Sequence, residues 1–214
     1  MLLRHENAEL ELLKEKAIWW SAKRILFISD LHFGKASHFR KSGIPIPEPI
    51  HHKDLHKLQQ LFQTYSPSKV YFLGDLFHSD WNESWEELMD FLSQFKEISF
   101  YLVKGNHDIL PRSIYENAPF ELLNQPVFIE PLVLSHEPLD EIKEGFLNLC
   151  GHIHPGVRLK GLGRQSVRVP CFYKTNQTLI LPAFGEFTGL ALVQATNEAS
   201  IFGISPSKVF PILS

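Results

Sequence analysis

Five short stretches of this sequence end in side chains that can bind metals or transfer protons. Each is an apolar run followed directly by polar residues: "RILFISDLH", "KVYFLGDLF", "ISFYLVKGNHD", "PLVLSHEP" and "FLNLCGHIH". Glycine and asparagine alone would explain turns at such points, because both tolerate unusual backbone angles. A turn does not require the histidines and aspartates that recur there. The repeated pattern therefore indicates a shared chemical role.

The apolar runs are typical of β-strands, and the segments between the first three are typical of helices. "HHKDLHKLQQLFQTY" places leucines at helical spacing, and "NESWEELMDFLSQF" is amphipathic with an acidic first turn. Strand, helix, strand, helix, strand predicts parallel β-α-β units. "AELELL" and "AIWW" predict an N-terminal hairpin, and the second half of the chain contains strand after strand. We therefore expect an α/β fold in which two mixed β-sheets pack as a sandwich flanked by helices.

In open α/β sheets, ligands bind at the carboxyl ends of the strands. The predicted strand ends carry carboxylate, amide and imidazole groups and no sulfur: Asp30, His32, Asp75, Asn106, His107, Asp108, His136, His152 and His154. Such nitrogen and oxygen donors suit hard or borderline metals such as Mn, Fe or Zn. Taken singly, the aspartates and the asparagine are more typical of turns and helix caps, so the prediction rests on the combination.

Length and composition exclude several classes of protein. A chain of 214 residues with 44% hydrophobic residues suits one globular domain spanning 1–214. No stretch approaches the roughly 20 apolar residues of a membrane span. The N-terminus has scattered acids and no apolar signal-peptide core, so we expect a cytoplasmic protein without a membrane partner. Cys150 and Cys171 are too few for a disulfide framework, and their apolar surroundings predict buried, inert thiols.

The net charge of −3 argues against a generally basic nucleic-acid binder, but the positive charges are unevenly distributed. Residues 31–47 and 145–185 contain no acidic side chain. Each of these two ranges contains several basic residues: Lys35, Arg40 and Lys41 in the first, and Arg158, Lys160, Arg164, Arg168 and Lys174 in the second. These local fields could steer a phosphate-bearing ligand. Solvated loops of a near-neutral protein are the alternative.

The series D-L-H (30–32), G-D (74–75), G-N-H-D (105–108), S-H (135–136) and G-H-I-H (151–154) resembles the calcineurin-like metallophosphoesterase family. The resemblance implies a four-layer α/β fold and a hydrolase of phosphoester bonds. "DLHFGKASHFRKSGIPIP", "GDLFHS", "GHIHP" and "CFYKTNQTLILPAFGEFTG" are further similar to the bacterial ligase-associated DNA damage response endonuclease branch. That likeness implies a nuclease or phosphodiesterase linked to DNA repair, with a functional association with an ATP-dependent DNA ligase.

The resemblance also implies a role for each matching residue. Two divalent metals, Mn²⁺ or alternatively Fe or Zn, would share one aspartate: Asp30, His32, Asp75 and His154 for the first, and Asp75, Asn106, His136 and His152 for the second. A bridging hydroxide would attack phosphorus in line with the leaving oxygen. His107 would protonate that oxygen, and Asp108 would accept a hydrogen bond from the other ring nitrogen of His107. Gly105 would let the backbone turn sharply.

Lys35, Arg40 and His78 are expected to contact the substrate, although His78 could instead support a metal ligand. The "LPAFGEFTG" loop could line the pocket or form a structural turn. Two other functions are compatible with the same family resemblance. A hydrolase of small nucleotides or pyrophosphate-linked metabolites would use the same metals, and a non-catalytic scaffold would be expected to lack part of the ligand set, which this chain retains. A homodimer through the N-terminal hairpin is left open by the sequence.

Overall fold

A computed structural model describes residues 1–35, 50–78, 81–161, 163, 165–194, 196 and 198–212, with the side chains of residues 50 and 51 left out. Arg40, Lys41 and Arg164, three of the basic residues singled out above, lie outside the described residues. The expected substrate contact of Arg40 is therefore carried forward as a prediction.

Seven strands form the first sheet, and they lie in chain order: β1 Leu2–His5, β2 Ala8–Leu12, β3 Ile18–Trp20, β4 Ile25–Ile28, β5 Lys69–Leu73, β6 Ser99–Val103 and β7 Phe120–Leu123. Strands β1 to β4 pair antiparallel, and β4 to β7 pair parallel. The predicted N-terminal hairpin is confirmed as β2 and β3, and it extends the parallel half of the sheet. The carboxyl ends of β4, β5 and β6 consequently point the same way.

The helices cover one face of this sheet. They are α1 (Ile50–Tyr65), α2 (Glu83–Ser93) and the short α3 (Arg112–Tyr115), with a 3₁₀ turn at Ser21–Lys23. The side chain of Asn82 accepts a hydrogen bond from the backbone N–H of Ser84 at 3.0 Å and so caps α2. Leu58, Phe62 and Trp85 pack with strand residues in one buried cluster. None of the helices in the described part of the chain has the length and apolar character that a membrane crossing requires.

The second sheet has nine strands: β8 Val127–Ile129, β9 Leu132–Leu134, β10 Leu147–Cys150, β11 Pro155–Lys160, β12 Ser166–Lys174, β13 Thr178–Ile180, β14 Ala191–Leu192, β15 Ser200–Ile204 and β16 Val209–Ile212. Their order is β14-β11-β12-β13-β10-β9-β8, with β15 joining β12 to β16. Strands β9, β10 and β13 run parallel, and the pairs β8–β9, β11–β12 and β15–β16 are antiparallel. Both sheets are therefore mixed, as predicted.

The two sheets pack face to face through apolar side chains. In β4, Leu26 and Ile28 belong to the cluster beneath the helices, whereas Phe27 belongs to the cluster between the sheets. Such a strand is buried on both faces, which explains its uninterrupted apolar sequence. Leu134 and Leu149 meet Phe27 in the inter-sheet cluster. The predicted sandwich is confirmed.

Several elements were not predicted from the sequence. Strands β1, β7, β11 and β16 and helix α3 are short or contain charged residues, which weakens their apolar periodicity. "PVFIEPLVLS", predicted as one strand, is a hairpin of β8 and β9 with its turn at Glu130 and Pro131. The prediction for the cysteines is confirmed, since Cys150 and Cys171 are free and fully buried, and burial raises the pKa of both thiols.

Candidate metal centre

The polar residues predicted from the strand ends converge where the two sheets meet. Strand β4 is followed by Asp30 and His32, and β5 by Asp75, while β9 and β10 of the second sheet are followed by His136 and by His152 and His154. Asp30, Asp75 and His136 are almost completely buried. Two sets of donor atoms have all their members within 4.8 Å of one another: Asp30, His32 and His154, and Asp30, Asp75 and His136.

We call Asp30, His32, Asp75 and His154 the first donor group, and Asp75, Asn106, His136 and His152 the second. In the first donor group, the donor atoms surround the Nε2 atom of His154. This nitrogen lies 3.2 Å from Asp30 Oδ1 and 3.2 Å from His32 Nε2. His32 Nε2 is also 3.6 Å from Asp75 Oδ2. All four residues that the sequence suggested for one metal are therefore brought together.

The second group surrounds the Nε2 atom of His136. This nitrogen lies 2.8 Å from Asn106 Oδ1, 3.1 Å from His152 Nδ1 and 3.4 Å from Asp75 Oδ1. His152 Nδ1 is in turn 3.1 Å from Asn106 Oδ1. The four residues suggested for the other metal are also brought together, and Asp75 presents a different oxygen to each group.

The chemistry of these donors fits divalent cations. Asp30 Oδ1 is buried and has no hydrogen-bond partner among the residues that the structure describes. Two pairs of imidazole nitrogens face each other at 3.1 and 3.2 Å, an arrangement that leaves lone pairs opposed unless a proton or a cation lies between them. A cation with ligands at about 2.1 Å holds neighbouring donor atoms about 3.0–3.4 Å apart. Five of the seven donor-atom distances given above, at 3.1–3.4 Å, fall in that range, and the other two are 2.8 and 3.6 Å.

The electrostatics of the cluster point the same way. Burial alone lowers the pKa of His136, but the hydrogen bond and charge of Asp75 outweigh it and raise that pKa to about 9. Burial alone raises the pKa of Asp75, but the hydrogen bond and charge of His136 overcome it and lower that pKa to about 2. Burial lowers the pKa of His32 to about 3, against the attraction of Asp75. In the metal-free protein, a proton on His136 therefore balances the Asp75 carboxylate, and a divalent cation would take that proton's place.

The backbone is left-handed at most of these donors. Among the described residues, nine other than glycine have positive φ, and five of them belong to the cluster: Asp30 (53°), His32 (46°), Asp75 (50°), His152 (68°) and His154 (53°). Aspartate and histidine tolerate this region better than most residues, yet each such position costs about 1 kcal/mol. Backbone strain is therefore concentrated where the donors are.

Small residues precede every donor segment, and the sequence pattern alone did not show why. The residues immediately before the five segments are Ser29, Gly74, Gly105, Ser135 and Gly151. A Cβ at Gly74 would overlap the ring of His136, and a Cβ at Gly105 would overlap the carboxylate of Asp75. The chain does turn directly after Gly105, at Asn106 and His107, but Gly105 has no positive φ, so close approach to Asp75 is what requires a glycine there. One small residue directly before each donor segment is the sequence signal that could have identified the donors.

The carboxylate of Asp30 is held by two donors that the sequence reasoning missed. Ser29 Oγ donates a hydrogen bond to Asp30 Oδ2 at 2.5 Å, and the backbone N–H of His152 donates to the same oxygen at 2.9 Å. These bonds leave Asp30 Oδ1 directed at His154. Gly151 lies against this pair, because a Cβ there would overlap both Ser29 Oγ and Asp30 Oδ2.

We expect Gly151→Ala to lower metal affinity about 10–100-fold, the usual effect of disturbing groups that orient metal ligands. The added methyl group must displace Ser29 or Asp30. Calorimetric titration of the metal-free variant with Mn²⁺ measures the change. Gly189→Ala is the matched control, since a Cβ at Gly189 meets no atom within 4 Å. Equal Mn²⁺ affinity for both variants would show that the close packing at Gly151 has no influence on Asp30.

His107 lies beside the cluster, with its ring centroid 5.4 Å from that of His32 and 4.8 Å from that of His78. Asp108 has a different role from the one expected. Its carboxylate accepts backbone hydrogen bonds from Gly105 and Asp75, both at 2.8 Å, and from Leu76 at 3.0 Å. Both oxygens are thus engaged by the main chain, so Asp108 joins the loops after β5 and β6 and does not hold the ring of His107.

The residues expected to contact substrate lie in different settings. Lys35 is half-buried, and burial lowers the pKa of its ammonium while the nearby charge of Asp75 opposes this, which places it near the cluster. His78 Nδ1 is 3.3 Å from His32 Nδ1, on the side of the His32 ring away from Nε2. This contact favours the alternative reading of His78 as a support for His32.

The "LPAFGEFTG" loop supports the first donor segment. The backbone N–H of Phe184 donates to Ser29 O at 2.9 Å, and that of Gly185 donates to Asp30 O at 3.2 Å. Lys57 Nζ lies 3.0 Å from Glu186 Oε1 and 3.9 Å from the ring centroid of Phe184. The contacts observed for this loop are structural, which favours the second of the two readings left open by the sequence.

The fold and the donor cluster define a class of protein. Residues 23–178 match the model of the calcineurin-like phosphoesterase family, and the chain belongs to that family. It is therefore a hydrolase of phosphoester bonds, in a family that uses divalent metals.

Among solved structures, the chain is similar to the crystal structure of Pseudomonas putida nuclease MPE. The two share 28% sequence identity over 99% of each chain, with a TM-score of 0.80. Yfce, a phosphoesterase from E. coli, has a TM-score of 0.47 and 16% identity over 83% of this chain and 87% of its own. No curated protein sequence matches this chain significantly.

Proposed function

We propose that this chain is a dinuclear metal-dependent phosphodiesterase that acts on nucleic acid. The observation that carries the proposal is the position of Asp75, whose Oδ2 lies 3.6 Å from His32 Nε2 and whose Oδ1 lies 3.4 Å from His136 Nε2. A carboxylate can offer one oxygen to each of two cations, whereas an imidazole or an amide oxygen cannot. Similarity to the Pseudomonas putida nuclease over 99% of the chain supports nucleic acid as the substrate.

In this proposal each donor group would hold one ion: Asp30, His32, His154 and Asp75 the first, and Asn106, His136, His152 and Asp75 the second. Bound divalent cations lower the pKa of water toward about 7 and offset the charge that develops on phosphoryl oxygens. The family resemblance makes Mn²⁺ the proposed ion, with Fe or Zn as alternatives.

The chain's own residues bind the substrate and supply the proton. The ammonium group of Lys35, whose backbone N–H donates to His32 O at 3.1 Å, would attract the phosphate. A ring nitrogen of His107, whose ring packs against those of His32 and His78, donates a proton to the leaving oxygen. The backbone N–H of His107 donates a hydrogen bond to Asp75 Oδ1 at 2.8 Å and so helps to hold that carboxylate. The proposal includes the implied setting in DNA repair and the association with an ATP-dependent DNA ligase.

Metal titration and a substrate panel test the proposal together. We expect the chelator-treated protein to bind two Mn²⁺ ions per chain and then to hydrolyse bis(p-nitrophenyl) phosphate and single-stranded DNA. Asp90→Asn, which removes an exposed carboxylate of α2, should leave the stoichiometry unchanged. Binding of a single ion would contradict the dinuclear centre. Turnover confined to nucleoside diphosphate sugars would favour the small-nucleotide alternative.

A further inference from the structure

The hairpin of β11 and β12 has one apolar and one basic face. Directly paired residues of an antiparallel hairpin point to the same side, and successive pairs alternate. Val157 pairs with Val169, and Arg158 pairs with Arg168. The next pair on the arginine side brings in Lys160, opposite Ser166. Three basic side chains, Arg158, Lys160 and Arg168, therefore share one face, which we call the basic face.

Packing leaves the basic face in solvent. Val157 is buried in a cluster with Cys171 and Ile201, against which Leu159 and Val169 also pack. This apolar side holds the hairpin to the rest of the second sheet. Arg158, Lys160 and Arg168 are all exposed. The hairpin's core packing thus accounts for the apolar side chains and leaves the basic ones without a structural function.

The basic face is also not neutralised. Two like charges placed directly opposite each other across a strand pair are destabilising. Residues 145–185 contain no aspartate or glutamate that could compensate locally. Within the described part of the chain, no carboxylate forms an ion pair with Arg158, Lys160 or Arg168. An anion from outside the chain would relieve this repulsion.

The hairpin begins at the candidate metal centre. Pro155, the first residue of β11, follows His154 directly, and the backbone N–H of Ala191 in β14 donates to His154 O at 2.9 Å. At about 3.3 Å per residue, Arg158 lies about 13 Å along the strand from His154. A polymer whose cleaved phosphate lies in the metal centre would reach this distance within a few nucleotides.

We propose that the basic face binds backbone phosphates of the nucleic-acid strand that flank the cleaved bond. This inference rests on the proposed function and names a second contact region for the same substrate. Guanidinium groups suit the task because they bind phosphate with two parallel hydrogen bonds and stay charged. Such contacts would add affinity without base specificity.

The test measures binding without catalysis. A fluorescent single-stranded oligonucleotide is titrated with full-length Arg158→Ala, Arg168→Ala and wild-type protein, in chelator, from 50 to 200 mM salt. Each arginine that contacts a phosphate contributes about 0.7 to the slope of log affinity against log salt. Between 50 and 200 mM salt, the fold-decrease in affinity of each variant should therefore be about 2.6 times smaller than that of wild type. Turnover of bis(p-nitrophenyl) phosphate by the metal-loaded variants should be unchanged, because that substrate is too small to reach the hairpin.

Arg168→Glu separates binding from a structural role. It places a glutamate opposite Arg158, so the melting temperature should rise while oligonucleotide binding falls. Lys69→Glu is the charge-matched control, since Lys69 is an exposed residue at the amino end of β5, whereas the donors follow the carboxyl ends of the strands. An unchanged salt slope in both alanine variants overturns the inference. Failure of wild-type protein to hydrolyse phosphodiesters would contradict the proposed function alone, because binding is measured in chelator.

Discussion

Asp75→Asn is expected to bind one divalent ion in place of two and to lose at least about 10²–10³-fold in phosphodiester hydrolysis. Asparagine has the same shape and tolerates the left-handed φ of 50° observed at this position. It offers one oxygen, so its NH₂ group must face either His32 or His136, the two rings that Asp75 now contacts. One donor group would lose its anionic oxygen. Calorimetric titration with Mn²⁺ counts the ions, and steady-state kinetics with bis(p-nitrophenyl) phosphate measures the loss.

The control for this prediction is Asp140→Asn, which removes an exposed carboxylate four residues after His136. Its metal stoichiometry and activity should match those of wild type. Circular dichroism of Asp75→Asn should show an intact fold. Two tightly bound ions and full activity in Asp75→Asn would mean that the two oxygens of Asp75 do not serve two separate ions.

His107→Ala should slow the cleavage of a dinucleotide by about 10²–10⁴-fold and leave bis(p-nitrophenyl) phosphate hydrolysis nearly unchanged. The leaving group of a dinucleotide is an alkoxide, which needs a proton as it departs. The p-nitrophenolate ion is stable enough to leave without one. His107 is half-buried, and its ring lies beside His32 and His78 without belonging to either donor group. The ratio of the two rates therefore reports proton donation separately from metal binding.

His56→Ala provides a matched comparison, because His56 is an exposed histidine of α1 that contacts Gln60. Neither substrate should be affected by that change. Equal slowing of both substrates by His107→Ala would assign His107 a positioning role, and Mn²⁺ titration would show whether His32 has been disturbed. No slowing of either would remove His107 from the reaction.

The strand ends could be predicted from the sequence because their signals are local. An apolar run such as that ending at Ile28, followed at once by Asp30 and His32, is visible within a few residues. The parallel order of β4, β5 and β6 then brings such ends to one edge. The pairing of β7 with β6 was not predicted, because "FELL" is four residues long and carries a charge.

The role of Asp108 could not be predicted, because two of its hydrogen-bond partners, Asp75 and Leu76, are distant in the chain. The backbone N–H of Asp75 is 33 residues away, and nothing in "GNHD" indicates that this carboxylate faces the neighbouring loop. Proximity to His107 in sequence suggested a side-chain partner instead. The close packing of Gly151 against Ser29 could not be predicted for the same reason, since these residues follow strands of different sheets. Contacts between sheets depend on register and twist, which a single sequence does not reveal.

The left-handed backbone at five donor residues has a consequence for how such a protein can evolve. At about 1 kcal/mol each, these positions amount to roughly 5 kcal/mol, comparable with the whole net stability of a small domain. Asparagine, which adopts the left-handed region more readily than most residues, would lower this backbone cost in the metal-free protein while removing metal donors. Selection for activity must therefore act against substitutions that stabilise the metal-free protein and abolish metal binding.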